Sequence, residues 1–291
     1  MGSRLTAPIT NASAHNHFVG PLPIAPPTLK LPEKPRMAEI CSPSLSPPDA
    51  PLASAALGSD LDTVPTYLLA HYWWAYIHPS AVAVFERQWL VNLILWGNYA
   101  RLRDASLEEL GGALPGTTLQ VACVYGDLSV EMGERITALG GRLDIVDVLT
   151  IQLQNLREKL SSGSRTRLLR MDSAQLQLAD ASYDQALLFF LLHEQPPRVR
   201  LRTLQEVFRV VKPGGKIVIV DYARPRWWHP LRYLWRPLLA ILEPFALDLW
   251  REELTDWMPE CGVGRTDRRS FFGGLYQMTV VTRSEAKQPI G

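Results

Sequence analysis

The amino-acid sequence predicts an α/β fold, a doubly wound sheet whose strands are joined by helical crossovers. Two observations predict it. Short runs rich in β-branched and other apolar residues recur from Leu119 to Val220, separated by stretches of helical length, the pattern of a parallel sheet with right-handed connections. The pair Gly273-Gly274 then divides two further strand-like runs, Arg268 to Phe272 and Leu275 to Thr282, which reads as a β-hairpin closing the sheet as its sixth and seventh strands.

In chain order, residues 1–65 hold twelve of the 23 prolines, in runs such as Pro21-Leu-Pro-Ile-Ala-Pro-Pro27. They are expected to be disordered, because such a segment buries too little apolar surface to offset its chain entropy. The segment lacks the basic start and apolar run of a secretory signal, and its arginines are sparse for an organelle transit peptide, a weak one being the alternative. Residues 66–110 form an aromatic helical region in which Pro79 separates two helices, the second reaching Leu102, since proline interrupts the helical ladder.

Residues 111–283 are expected to form the main domain, with a lid insertion at 225–258 and a tail over 284–291. Its first five strands are placed at Leu119 to Val124, Leu143 to Val148, Arg167 to Met171, Gln185 to Phe190 and Lys216 to Val220. Helices fill Ser129 to Leu139, Leu149 to Leu160 and Val199 to Val211. Lys212-Pro-Gly-Gly215 reads as the turn into the fifth strand, proline ending the helix and glycine free to take positive φ.

With 291 residues the chain buries a core without covalent staples. Its 30 Lys and Arg against 29 Asp and Glu create no field for nucleic acid, which is excluded as a partner class. The cysteines, Cys41, Cys123 and Cys261, have no metal-type spacing, and Cys123 reads as a small buried strand residue.

The loop after the first strand is the informative anomaly. A nucleotide-binding sheet needs glycines there so that backbone can approach the ligand, usually after an acidic residue. Here Gln120 stands in the acid's place, Ala122 and Val124 in two glycine places, and only Gly126 survives. Either the cofactor has been lost or it is held differently.

The order Leu119 to Ser129, Asp147, Asp172, Tyr183-Asp184, Leu192-His-Glu194 and Val210-Val-Lys-Pro-Gly-Gly-Lys216 resembles class I methyltransferases that use S-adenosylmethionine, above all the ubiquinone and menaquinone C-methyltransferases. A narrower resemblance rests on Val121-Ala-Cys-Val-Tyr-Gly-Asp-Leu128, Phe190-Leu-Leu-His-Glu-Gln-Pro196, Val220-Asp-Tyr-Ala-Arg-Pro225, Trp228-His-Pro-Leu-Arg-Tyr-Leu234 and Glu243-Pro-Phe-Ala-Leu-Asp-Leu-Trp250. From Tyr67 to Thr282 these segments are similar to the rhodoquinone biosynthesis family. That resemblance implies a seven-stranded class I methyltransferase-like sheet. It also implies conversion of ubiquinone to rhodoquinone, a ring methoxy group being replaced by an amino group. S-adenosylmethionine is then implied as amino donor and Mn2+ as a required ion.

The candidate residues gather where strands end. Gly126 is expected to let backbone approach the methionine end of the cofactor, helped by free amides of the following helix, with an ordinary turn as the alternative. Val124 lies on the same loop. Asp147 and Val148 close the second strand, Asp147 either accepting from ribose hydroxyls or capping a helix. Asp172 and Ser173 follow the third strand, Asp172 either accepting from the adenine amino group or standing in a solvated turn. Tyr125 is the first catalytic candidate, unless it only packs, and Asp127 either faces the cofactor's amino-acid end or caps the next helix. His193 and Glu194 are metal-ligand candidates, with His193 alternatively a proton acceptor or a structural residue. Tyr222 joins Tyr125 and His193 as the third catalytic candidate. Asp221 offers another oxygen ligand, and His229 either reaches the same edge or marks a helix start.

Eight of the nine tryptophans fall between Trp73 and Trp96 or between Trp227 and Trp250. The second window mixes them with Arg226, Arg232 and Arg236, as suits a lipid surface with anionic headgroups. Charged residues interrupt both windows well short of the roughly 18 apolar residues a span needs, so the expectation is a peripheral enzyme on the cytoplasmic side of an inner membrane, mitochondrial if eukaryotic. A lid packed on the domain is the alternative. Two other functions stay open: an ordinary quinone or phenol methyltransferase, and a non-catalytic lipid-binding factor for quinone biosynthesis.

Overall fold

The computed structural model describes residues 64–72, 84–111, 116–259 and 262–285. The proline-rich segment and Pro79, with its helix break, lie outside the described residues.

The sheet has seven strands: β1 (Thr117–Val121), β2 (Arg142–Asp147), β3 (Thr166–Arg170), β4 (Tyr183–Phe189), β5 (Val211–Tyr222), β6 (Val263–Phe271) and β7 (Tyr276–Arg283), in the order β3-β2-β1-β4-β5-β7-β6. β1 to β5 are mutually parallel and β7 runs antiparallel between β5 and β6. This is the doubly wound sheet expected, with the strand order reversing between β1 and β4. Its central strands are buried on both faces, as in Ile217, Val218, Ile219 and Val220, so they read as continuous apolar runs rather than alternating ones.

Helices cover the faces. α1 (Thr66–His71), α2 (Gln88–Ile94) and α3 (Tyr99–Leu110) precede the sheet, and α4 (Leu128–Ala138), α5 (Thr150–Lys159) and α6 (Pro197–Val210) are the crossovers. α6 starts with proline at its first turn, where no amide donor is missed, and buries Leu201, Leu204, Val207 and Phe208 along one stripe. α7 (Leu231–Leu242) and α8 (Asp248–Arg251) form the insertion between β5 and β6.

Three boundaries depart from the expectation. β1 stops at Val121 rather than Val124, because Ala122 takes φ 71° and turns the chain out of the sheet. Cys123 is therefore a half-buried loop residue and not a strand residue. The Lys212-Pro-Gly-Gly215 segment lies inside β5 as a register shift opposite Tyr183 to Gln185. Gly214 has φ 76° there, and a Cβ on Gly215 would meet Asp184 O at 2.7 Å, so both positions need glycine. Finally, no single helix runs through to Leu102. Trp96 and Gly97 take φ 52° and 74° and separate α2 from α3.

Candidate functional site

Each parallel strand ends at the same edge, and the loops that leave it enclose a cavity of about 390 Å³. Asp147 reaches it from β2, Asp172 from beyond β3, His193 from the 3₁₀ turn after β4, Tyr222 from β5, Tyr125 from the loop after β1 and Glu243 from the end of α7. The strand-order reversal between β1 and β4 opens the crevice, the usual ligand position in such sheets.

His193 is buried and fixed through one ring nitrogen. Its Nδ1 lies 2.9 Å from Asp221 Oδ1, while Asp221 Oδ2 accepts the amides of Leu192 and His193 at 2.9 and 3.2 Å. The far nitrogen, Nε2, stands 3.9 Å from Glu194 Oε1 and 4.0 Å from Glu243 Oε2. Burial alone would discharge the ring, but Asp221, then Glu243 and Glu194, outweigh it and push the His193 pKa up to about 9. Burial likewise raises the Glu243 carboxyl, with His193 and a Tyr72 hydrogen bond opposing. The Tyr222 ring stands edge-on to His193 at 4.8 Å, and burial pushes its phenol well above the ordinary value. The arrangement presents a protonated imidazole beside two carboxylates. Asp221 on Nδ1 orients the ring as it would a ligating histidine, yet among the described residues no group of three or more His, Cys, Asp or Glu is arranged to hold a metal ion, so the expected pair His193 and Glu194 is not joined by further ligands. These residues do not fit a preformed Mn2+ site.

The loop after β1 is closed by the chain itself. Tyr99 Oη accepts the amides of Asp127 and Leu128, both at 3.0 Å, and donates to Asp127 Oδ1 at 3.0 Å. Gly126 N–H donates to Glu86 Oε1 at 3.2 Å. The expected free amides at Gly126 and the start of α4 are thus occupied, which corrects that reading. Glycine is needed because φ is 91° and a Cβ would meet Tyr99 Oη at 2.5 Å. Asp127 neither caps α4 nor faces the cavity: Arg103 and Gln88 join Tyr99 on its carboxylate, at 2.6 and 2.8 Å. Gln120, buried in the acid's place, donates to Ala122 O at 2.9 Å and Ser129 Oγ at 2.8 Å and so ties the loop to α4. Val124 and Tyr125 do line the cavity. Tyr125 Oη accepts from Gln152 at 2.8 Å, its ring stacks on Phe85 at 6.0 Å, and burial raises its pKa.

At the other end, Asp147 Oδ2 accepts from Cys123 N and Oδ1 from Leu149 N, both at 2.8 Å. Burial, partly opposed by those bonds, brings its pKa up to about 6. The Cys123 side chain and the Val148 amide also engage this carboxylate, which lines the cavity beside Val148. Asp172 is exposed, accepts from Ala174 N at 2.8 Å in its own turn, and still borders the cavity. Ser173 also borders the cavity, but its hydroxyl is held by Thr203 at 2.9 Å and Gln195 at 3.0 Å.

Sequence reasoning missed the residues that close the site from outside the sheet. Glu86 and Glu243 were visible only as charges interrupting aromatic runs, and Tyr99 as one aromatic among several. Arg200 gave no signal. Fully buried, it donates to the carbonyls of Leu192 at 2.8 Å, Gln195 at 3.0 Å and Phe245 at 2.9 Å, and stacks 4.5 Å over Trp257, locking the insertion onto the His193 turn. His229 packs on Phe272 at 5.0 Å, at the hairpin rather than in the cavity.

The two tryptophan windows meet where Trp96 and Trp235 pack edge to face at 5.3 Å. Around them Trp89, Leu93, Trp227, Trp228, Tyr233 and Leu234 are exposed. Among the described residues no helix is long and apolar enough to cross a membrane.

A methyltransferase-domain family profile matches residues 118–215. A demethylmenaquinone methyltransferase of Beutenbergia cavernae is 28% identical over 195 residues, 62% of this chain and 75% of that protein. One from Staphylococcus aureus is 26% identical over 212 residues, 65% of this chain and 85% of that protein. A SAM-dependent methyltransferase structure from Aquifex aeolicus superposes at a TM-score of 0.44 with 19% identity, over 71% of this chain and 98% of that one.

Proposed function

We infer, from the methyltransferase-domain profile match over residues 118–215 and the similarity to demethylmenaquinone methyltransferases, an S-adenosylmethionine-dependent transferase acting on the ring of an isoprenoid quinone. One observation carries this reading: a single cavity joins the Asp147 edge, suited to a nucleoside, to a buried His193–Asp221 pair walled by Phe190, Tyr222, Trp235 and Leu239, suited to a greasy ring. Apolar residues of α2 and α7 give an isoprenoid tail a path. The exposed tryptophans and leucines nearby would dock the protein on the cytoplasmic face of an inner membrane.

S-adenosylmethionine, when bound, supplies an electrophilic methyl group and carries an amino nitrogen. Asp147 orients the ribose. Asp221 holds His193 so that Nε2 faces the cavity; protonated at neutral pH, the imidazole donates to a quinone oxygen or to a departing alkoxide. Glu194 and Glu243 are the carboxylates beside it that can take up a ring proton.

Methyl transfer is the reading the relatives support. Amino transfer, giving rhodoquinone from ubiquinone, is the second, favoured by the narrower sequence resemblance and by the filled loop at Gly126, which a conventional methyl donor pose uses. No step is assigned to Mn2+. The test supplies purified full-length protein with ubiquinone or demethylmenaquinone in lipid vesicles, each as the quinone and as the chemically reduced quinol, whose electron-rich ring carbon is what an electrophilic methyl group requires. S-adenosylmethionine is labelled with carbon-13 at the methyl and nitrogen-15 at the amine, with and without manganese. Quinone carrying the carbon label establishes methyl transfer and quinone carrying the nitrogen label establishes amino transfer. Unlabelled quinone in every arm refutes the transferase reading.

A further inference from the structure

The amides that follow the first strand of such a sheet, with a cation beside them, are a natural seat for a carboxylate. In this chain the seat already holds one. Glu86, on the turn before α2, puts Oε1 on the Gly126 amide at 3.2 Å and against the Lys159 ammonium, and its Oε2 accepts from Asn155 Nδ2 at 2.6 Å. Lys159, at the end of α5, also donates to Gly126 O at 2.9 Å. Both polar groups of the surviving glycine are therefore held by one ion pair. The carboxylate is mostly covered, with 19% of the side chain exposed. The neighbouring side chain, Phe85, stacks on Tyr125 and holds this turn over the loop. Tyr99 covers the next two amides.

We propose that Glu86 is a specificity-determining residue: its carboxylate fills the anion seat at Gly126 and Lys159, so the amino-acid end of a bound S-adenosyl compound is kept off that loop and lies toward Glu194 and Glu243. Two physical arguments carry it. A second carboxylate brought to Gly126 would meet a like charge within hydrogen-bond distance and find its donors taken. The cavity itself is lined by Glu194 and Glu243 around His193, where the ligand's ammonium finds carboxylate partners and its carboxylate the imidazolium. The inference rests on the cofactor reading above and adds where the methionine end lies.

The test is calorimetric binding of S-adenosylhomocysteine and of 5′-methylthioadenosine, the same thionucleoside without the amino-acid end, to the full chain and to Glu86→Ala and Glu86→Gln. The wild-type protein is expected to favour S-adenosylhomocysteine by no more than about tenfold, the margin of the Glu194 and Glu243 contacts alone, since the usual anchor is closed. Glu86→Ala is expected to tighten S-adenosylhomocysteine about tenfold, the size of one recovered charge-assisted contact, and Glu86→Gln to shift the same way by less. Methylthioadenosine affinity should stay within about twofold, which also reports that the nucleoside half is folded. A wild-type preference of about 100-fold for S-adenosylhomocysteine that neither variant increases would overturn the inference while leaving the cofactor reading intact. Parallel weakening of both ligands in both variants would overturn it too, making Glu86 a structural staple. Failure of either ligand to bind any of the three proteins would overturn the cofactor reading, and the inference with it.

Discussion

Replacing Asp221 by Asn tests the electrostatics at the centre of the site. Asp221 accepts the Leu192 and His193 amides through Oδ2 and faces His193 Nδ1 and the Tyr222 amide through Oδ1. An asparagine keeps one acceptor oxygen for the first pair and turns an NH2 group toward Nδ1, which favours the neutral ring. In the wild-type fold burial opposes the His193 charge but Asp221 overrides it, raising the pKa from 6.5 to about 9. At roughly 1.4 kcal/mol per pH unit this favours the folded, protonated state by about 3 kcal/mol. The folded pKa exceeds the unfolded one, so this stability is present in full below pH 6.5 and is lost as pH rises through about 9. Asp147 changes earlier: burial raises its pKa from 3.8 to about 6, so its contribution fades before the histidine window opens. Urea unfolding followed by tryptophan fluorescence at intervals from pH 6 to 9.5 should show the wild-type protein losing about 3 kcal/mol more than Asp221→Asn across that window. Parallel curves for the two proteins would refute the assignment of the raised pKa to Asp221. At pH 7 the variant's turnover should fall about 100-fold if the imidazolium donates a proton during the reaction.

Tyr99→Phe removes the hydroxyl that covers two amides and bonds Asp127; a loss of about 2–3 kcal/mol in urea unfolding is expected, and a loss below about 0.5 kcal/mol would deny the loop this anchor. Arg200→Met leaves three carbonyls without their buried donor and should cost about 3–5 kcal/mol, with protease cleavage appearing in residues 243–260 under conditions where the wild-type chain resists. Serine at Trp227, Trp228 and Leu234 together, all more than half exposed, should weaken flotation with anionic vesicles at least about tenfold while leaving the unfolding midpoint unchanged; undiminished flotation would place the membrane contact elsewhere.

Most of the fold was legible because it is locally encoded. The crossover helices carry their own periodicity, and the strands their own apolar runs, so α4, α5 and α6 lie within two residues of their expected ends. The errors fall where distant contacts overrule local pattern. Val121-Ala-Cys-Val reads as continuing strand, yet Ala122 is driven to positive φ as the chain leaves β1 and Asp147 takes the Cys123 amide. Lys212-Pro-Gly-Gly215 reads as a plain turn, yet the strand continues through it as a bulge. That His193, Tyr222 and Asp147 would share one edge was legible because they stand at or just beyond strand ends, and all three line the cavity there.

The altered loop was legible as an absence of glycines, and its meaning was not. Its partners, Glu86, Tyr99, Arg103 and Lys159, lie between 24 and 40 residues away along the chain, and no period or motif links them to Gly126. Lost glycines alone suggest a dead site. The structure supplies a different cause: Tyr99 stands so close that residue 126 must be glycine, and the donors once available to a ligand are held by this chain's own side chains. Asp147, by contrast, still borders the cavity at the end of β2, and the His193 cluster keeps a buried, charged centre. With those two features kept on either side of the rebuilt loop, the proposed reading is a change in how the ligand's amino-acid end is held, and the Glu86 variants separate it from the loss of a ligand.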